Sequence, residues 1–231
     1  MTNFRKRLLE LAKGNEEYRD FNKKIVNTKK KTLGVRTPDM RNLAKTLANG
    51  MMFADISKFL KQANKDIYEE VSLAGLIITY AKISDAEKIK LTKEYLKYAD
   101  SWALVDVFVS RWNKFDEKLW WDFATSYLDS KKEFEARFGV IFLMANFLND
   151  EYIDKVFKEL HKVKNDAYYV KMGLAWLYAT AAVNYYDKTL SELKKRVKDP
   201  WTYKKSLQKM TESFRLTTKQ KAEIKKLKKT L

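Results

Sequence analysis

Apolar residues in this chain recur with the 3.6-residue period of helices, and two kinds of segment alternate. Residues 68–82, 101–111, 134–148 and 168–183 are apolar over most of their surface, as buried helices are. Their starts, Tyr68, Ser101, Phe134 and Tyr168, are separated by steps of 33, 33 and 34 residues. Between them, residues 55–63, 85–98, 116–128, 150–162 and 187–197 carry apolar residues on one face only. A fifth unit begins near Tyr203, and a lysine-rich helix over 218–231 ends the chain. The pattern predicts helix pairs of about 34 residues, none able to bury its inner face alone. Stacking the pairs gives an all-α solenoid of HEAT-like repeats, with 1–231 as a single domain. Its second helices line a concave basic groove.

The N-terminal stretch is less regular. Residues 3–13 form an amphipathic helix with Phe4, Leu8, Leu9 and Leu11 on one side, ended by Gly14-Asn15. A second helix runs from Glu16 to about Ile25, and Asn27 to Thr32 form a polar loop. Thr37 then suits an N-cap and Pro38 the first helical position, with Asp39 favouring the positive helix end. That helix, 38–48, stops at Asn49-Gly50. Its N-terminus, flanked by Arg36 and Arg41, is suited to hold a phosphate, although a well-made helix start explains it equally well.

Composition narrows the partners. Six glycines and two prolines are too few for a turn-rich β fold. Forty-seven Lys and Arg against thirty Asp and Glu give +17, a charge that gathers polyanions, nucleic acid first among them. No cysteine is present, which excludes disulfides and thiolate chemistry and suits a reducing cytoplasm. A single histidine, His161, excludes multi-histidine metal sites and is expected at the surface. The first residues lack the apolar core of a signal peptide, and no apolar run reaches membrane-spanning length. We therefore expect no metal, no cofactor and no membrane partner.

Aligning the four starts exposes one misfit. Five residues on, the chain has Leu73, Asp106, Gly139 and Gly173, three residues suited to close packing and one carboxylate. A carboxylate on a packed face costs several kcal/mol unless paired, solvated or used. Trp102 lies one helical turn before Asp106 on the same face, and its electron-rich ring beside an anion suits a cationic group. Three residues from the starts, Val71, Leu104, Arg137 and Lys171 put two cations in matching register, a row suited to successive phosphates or two solvated helix charges. Phe142 and Trp176 match at the ninth position, while Trp112, Trp120 and Trp121 are read as packing.

With these residues in view, the chain resembles the AlkD-like DNA alkylation repair proteins, a HEAT-like repeat family, over nearly its whole length. The resemblance rests on Leu33-Gly34-Val35-Arg36-Thr37-Pro38-Asp39-Met40-Arg41, Ser101-Trp102-Ala103-Leu104-Val105-Asp106, Phe134-Glu135-Ala136-Arg137-Phe138-Gly139 and Tyr168-Tyr169-Val170-Lys171-Met172-Gly173-Leu174-Ala175-Trp176. It implies a monofunctional DNA glycosylase, a hydrolase that removes purines alkylated at N3 or N7, acting without the base flipping usual for glycosylases. By the same resemblance, Asp106 is the catalytic carboxylate, Trp102 and Trp176 flank the deoxyribose of the lesion, and Arg137 holds the backbone. Lys171, Arg36 and Arg41 complete the expected DNA contacts. Double-stranded DNA is the expected partner of a monomer in the cytoplasm of a bacterial-type cell, at the nucleoid when bound. Active members carry a helix with an aromatic DNA contact just before the Leu-Gly motif. Here Asn27 to Thr32 stand in that place, implying a branch with a shortened N-terminal element. A non-catalytic repeat protein for damaged, bent or branched DNA is the alternative, and a protein-binding scaffold a third.

Overall fold

A computed structural model describes residues 3–110, 112, 114–197 and 199–229, without the side chains of Arg196 and Lys229. The helices are α1 (Asn3–Ala12), α2 (Glu16–Val26), α3 (Thr37–Ala48), α4 (Phe53–Gln62), α5 (Tyr68–Tyr80), α6 (Asp85–Leu96) and α7 (Trp102–Val109). They continue with α8 (Glu117–Thr125), α9 (Glu133–Asn146), α10 (Ile153–Glu159), α11 (Tyr168–Ala181), α12 (Tyr186–Arg196), α13 (Pro200–Glu212) and α14 (Thr218–Lys229). Among the described residues the fold is all-α, with one isolated parallel bridge, Lys31 to Ile67, as its only β pairing. It is built of HEAT-like helix pairs, α4–α5 and α6–α7 in the first part of the chain and α10–α11 and α12–α13 in the second. Arg111, placed by the sequence at the end of the second buried helix, and the last two residues of the lysine-rich helix lie outside the described residues.

Contacts divide the chain into two compact units, 1–123 and 124–231. In the first, α3 packs on α5 and α5 on α7, so the second helices of successive pairs form its centre. Residues 68–79 of α5 are all buried, which explains why this segment has no polar face. An aromatic core closes the unit: Trp112 lies 5.5 Å from Phe108 and 4.3 Å from Trp120. Both indole N–H groups are satisfied, Trp112 donating to the Phe108 carbonyl and Trp120 to Asp85, each at 3.0 Å. The second unit repeats the plan with α9 on α11 and α11 on α13. Residues 136–144 of α9 are buried without a break. A side chain at Gly139 would put its Cβ 2.8 Å from the Ala124 carbonyl oxygen, so the close approach requires glycine.

Helix starts follow local chemistry. Ser84 and Glu87 form a reciprocal capping box on α6, and Asp199 caps α13 ahead of Pro200 by accepting from Thr202 N at 2.9 Å. Two details differ from the sequence reading. Arg36 rather than Thr37 is the cap residue of α3, and Thr37 opens the helix with Pro38 behind it. In α1, Phe4 and Leu8 turn inward while Leu9 is 43% exposed, because a single residue step rotates the side chain about 100° around the axis.

Candidate nucleic-acid interface

In the first unit the site residues sit on α7. Ser101 is buried and caps the helix by accepting from Leu104 N at 3.5 Å. Ala103, Leu104, Val105, Phe108 and Val109 are buried; of the half-exposed residues Trp102, Asp106, Val107 and Ser110, Trp102, Asp106 and Ser110 follow one another at four-residue steps along one strip. Both ends of that strip are fixed. Trp102 Nε1 donates to the Ile25 carbonyl of α2 at 3.0 Å. At the other end Arg41 Nη2 donates to Ser110 Oγ at 2.5 Å, and Arg41 Nη1 to the Tyr80 hydroxyl at 3.3 Å. Asp106 lies between these anchors, with Tyr68 near enough to feel its charge. Burial pushes the Tyr68 phenol well above its ordinary value, and Glu69, Tyr18, Asp100 and Asp106 push the same way. Tyr68 is therefore a neutral hydroxyl at physiological pH.

The polar loop before the Leu-Gly motif is strapped to the starts of α5 and α7. Thr28 Oγ1 and Lys29 N donate to the Asp100 carboxylate at 2.8 and 3.0 Å. Lys31 N donates to the Asp66 carbonyl, and Tyr68 N to the Lys31 carbonyl. Glu69, fully buried, then accepts from Leu33 N and Gly34 N at 2.8 Å each. Burial pushes the Glu69 carboxyl up, against the downward pull of those two N–H groups. Gly34 has φ +97°, and a Cβ there would lie 2.8 Å from Arg19 Cβ, so α2 can approach only a glycine. On α2, the helix ahead of this loop, Phe21 is 62% exposed and Ile25 45%. The structure thus displays an aromatic residue on the preceding helix, which sequence reading had passed over in favour of the loop.

Arg36 and Arg41 meet different surroundings. The exposed Arg36 holds its guanidinium 4.6 Å over the Tyr18 ring, whereas Arg41 is engaged with Tyr80 and Ser110.

In the second unit, matched register does not bring matched environments. Arg137 is only 4% exposed, and its Nη1 donates to the Tyr169 carbonyl at 2.6 Å. Gly173 lies against it, and a Cβ there would sit 3.4 Å from Arg137 Nη1, an ordinary packing contact. Lys171 is half-buried, 3.6 Å from Asp199 and 5.1 Å from the centre of the Trp201 ring. Phe142 is fully buried, while its register partner Trp176 is 41% exposed, an indole open to a ligand. Trp176 is therefore the residue of that pair with a surface to offer.

Among the described residues, no helix is long and apolar enough to cross a membrane, and no group of His, Asp and Glu could hold a metal ion. No curated protein and no solved structure matched the chain. The sequence model of one family, described as DNA alkylation repair enzyme, does match, over residues 6–210. That span contains most of α1, all of α2 to α12, most of α13 and every candidate site residue, and the chain accordingly belongs to the DNA alkylation repair enzyme family.

Proposed function

We propose that this DNA alkylation repair protein is a glycosylase that hydrolyses the N-glycosidic bond of purines alkylated at N3 or N7 in double-stranded DNA. The observation that supports it is Asp106, a half-exposed carboxylate held between two anchored neighbours on a largely buried helix. Alkylation at N3 or N7 leaves the purine cationic, so the base can depart with the bonding electrons and little proton assistance. Positive charge then develops on the deoxyribose ring. Asp106 stabilises that charge and orients the water that adds to C1′. The half-exposed Trp102 ring beside it favours the same cationic centre. Trp176 and Lys171 serve as DNA contacts of the second unit, and Arg36 and Arg41 as those of the first.

One observation favours the non-catalytic alternative. Arg137, the residue expected to grip the backbone, is buried and engaged with the Tyr169 carbonyl. The two readings separate on methylated duplex DNA at high protein excess. Release of 7-methylguanine or 3-methyladenine supports the glycosylase. No release, with binding that weakens steeply as salt rises, removes it in favour of a DNA-binding repeat protein.

A further inference from the structure

Phe214 is 101% exposed, the most exposed large apolar side chain among the described residues, and it lies beyond the stretch matched by the family. Its turn, between α13 and α14, is locked on both sides. Ser213 N donates to the Lys209 and Met210 carbonyls, and Arg215 N donates to Ser213 Oγ at 3.3 Å. Leu216 is buried, and Thr217 and Gln220 cap α14 reciprocally, Thr217 N to Gln220 Oε1 at 2.9 Å and Gln220 N to Thr217 Oγ1 at 3.2 Å. The turn holds the ring out into solvent on a fixed base.

Charge says what the ring meets. Lys221 Nζ lies 5.9 Å from its centre, Arg215 follows it, and α14 reads TKQKAEIKKLKK with Glu223 as its single acid. This helix is not a bilayer anchor, because Ile224 is fully buried and the rest of its surface is dominated by lysine. A flat apolar face beside a row of cations matches a polyanion that itself presents flat faces. We propose that Phe214 is a DNA-stacking residue, its ring set against a base or wedged at a base step, with Arg215, Lys219 and Lys221 on the flanking phosphates. The proposal rests on DNA as the partner and not on base excision.

The test compares wild type, Phe214→Ala and the double variant K219Q/K221Q by anisotropy on a labelled duplex across a salt series. A second duplex carries 2-aminopurine, whose fluorescence rises on unstacking. F214A is expected to lower affinity about 5- to 140-fold, with an unchanged salt slope and no 2-aminopurine rise. K219Q/K221Q should reduce the slope by roughly two phosphate equivalents while keeping the rise. Because the ring touches solvent, F214A should unfold in urea like wild type. Affinity for F214A within about twofold of wild type overturns the proposal, as does a wild-type complex without fluorescence rise. Tighter, Phe214-dependent binding to anionic phosphatidylserine vesicles or to an acidic peptide also overturns it. Base release, scored on the same samples, reports separately on the glycosylase reading.

Discussion

Replacing Asp106 by Asn removes one negative charge and leaves shape and helix intact. The carbonyl that accepts from Ser110 N at 3.1 Å belongs to the backbone, so the end of α7 is untouched. Asp106 is half-exposed, which sets an effective dielectric near 20 rather than that of dry protein or bulk water. A carboxylate oxygen about 4 Å from a developing unit charge then contributes about 4 kcal/mol, or about 10³ in rate. Sharing of that charge around the sugar ring brings the expected loss to about 10²–10³-fold, the usual range for removing one preorganised electrostatic group. DNA binding should hold or tighten, because the carboxylate repels phosphates. The assay is single-turnover release of 7-methylguanine from methylated duplex with the protein in saturating excess, alongside anisotropy on the same DNA. A rate within about threefold of wild type, with DNA saturated, would refute the electrostatic role assigned to Asp106.

Three further outcomes follow from the packing around the site. Arg5 makes two bonds to the fully buried Glu70, at 2.6 and 2.8 Å, while remaining 30% exposed. R5M should therefore destabilise the first unit by about 2–4 kcal/mol in urea unfolding, and R5M/E70M should recover much of the loss. Glu69 sets a pH dependence. Its folded carboxyl is raised above the ordinary 4.5, so the folded state holds the proton longer. Its contribution is thus fully present below about 4.5 and is lost as pH rises through the folded value. Urea midpoints across that window should fall with pH in wild type and flatten in E69Q. Trp102→Phe removes the bond to the Ile25 carbonyl, and amide exchange in the last turn of α2 should quicken while α5 stays protected.

How much of this the sequence carries depends on the kind of contact. Helices α5 and α9 are buried on every side, so their long apolar runs stand out and their repeat spacing can be counted directly. Asp106 is legible for the same reason, as a charge where three sister positions are apolar or glycine. The partners of the strip are not. Arg41 and Ser110 are separated by 69 positions and Thr28 and Asp100 by 72, and single polar residues carry no period to align. Arg137 and Lys171 share a register position but not an environment. Equal positions along two helices leave undetermined what covers each one: Arg137 is buried against the Tyr169 carbonyl, while Lys171 lies beside Asp199 and Trp201.

The strap from Thr28 to Gly34 bears on how chains of this kind can change over evolutionary time. Its length is measured against fixed points: Asp100 at one end, the Asp66 carbonyl and Tyr68 amide in the middle, and Glu69 at the other. A longer insertion here, such as an added helix, could not be accepted by simple looping out. It would strand the Asp100 carboxylate and the buried Glu69 carboxylate, and free the start of the strip that bears Trp102. Lineages that lengthen or shorten this segment should therefore exchange residues 69 and 100 together with it, a three-way dependence visible in any set of aligned relatives.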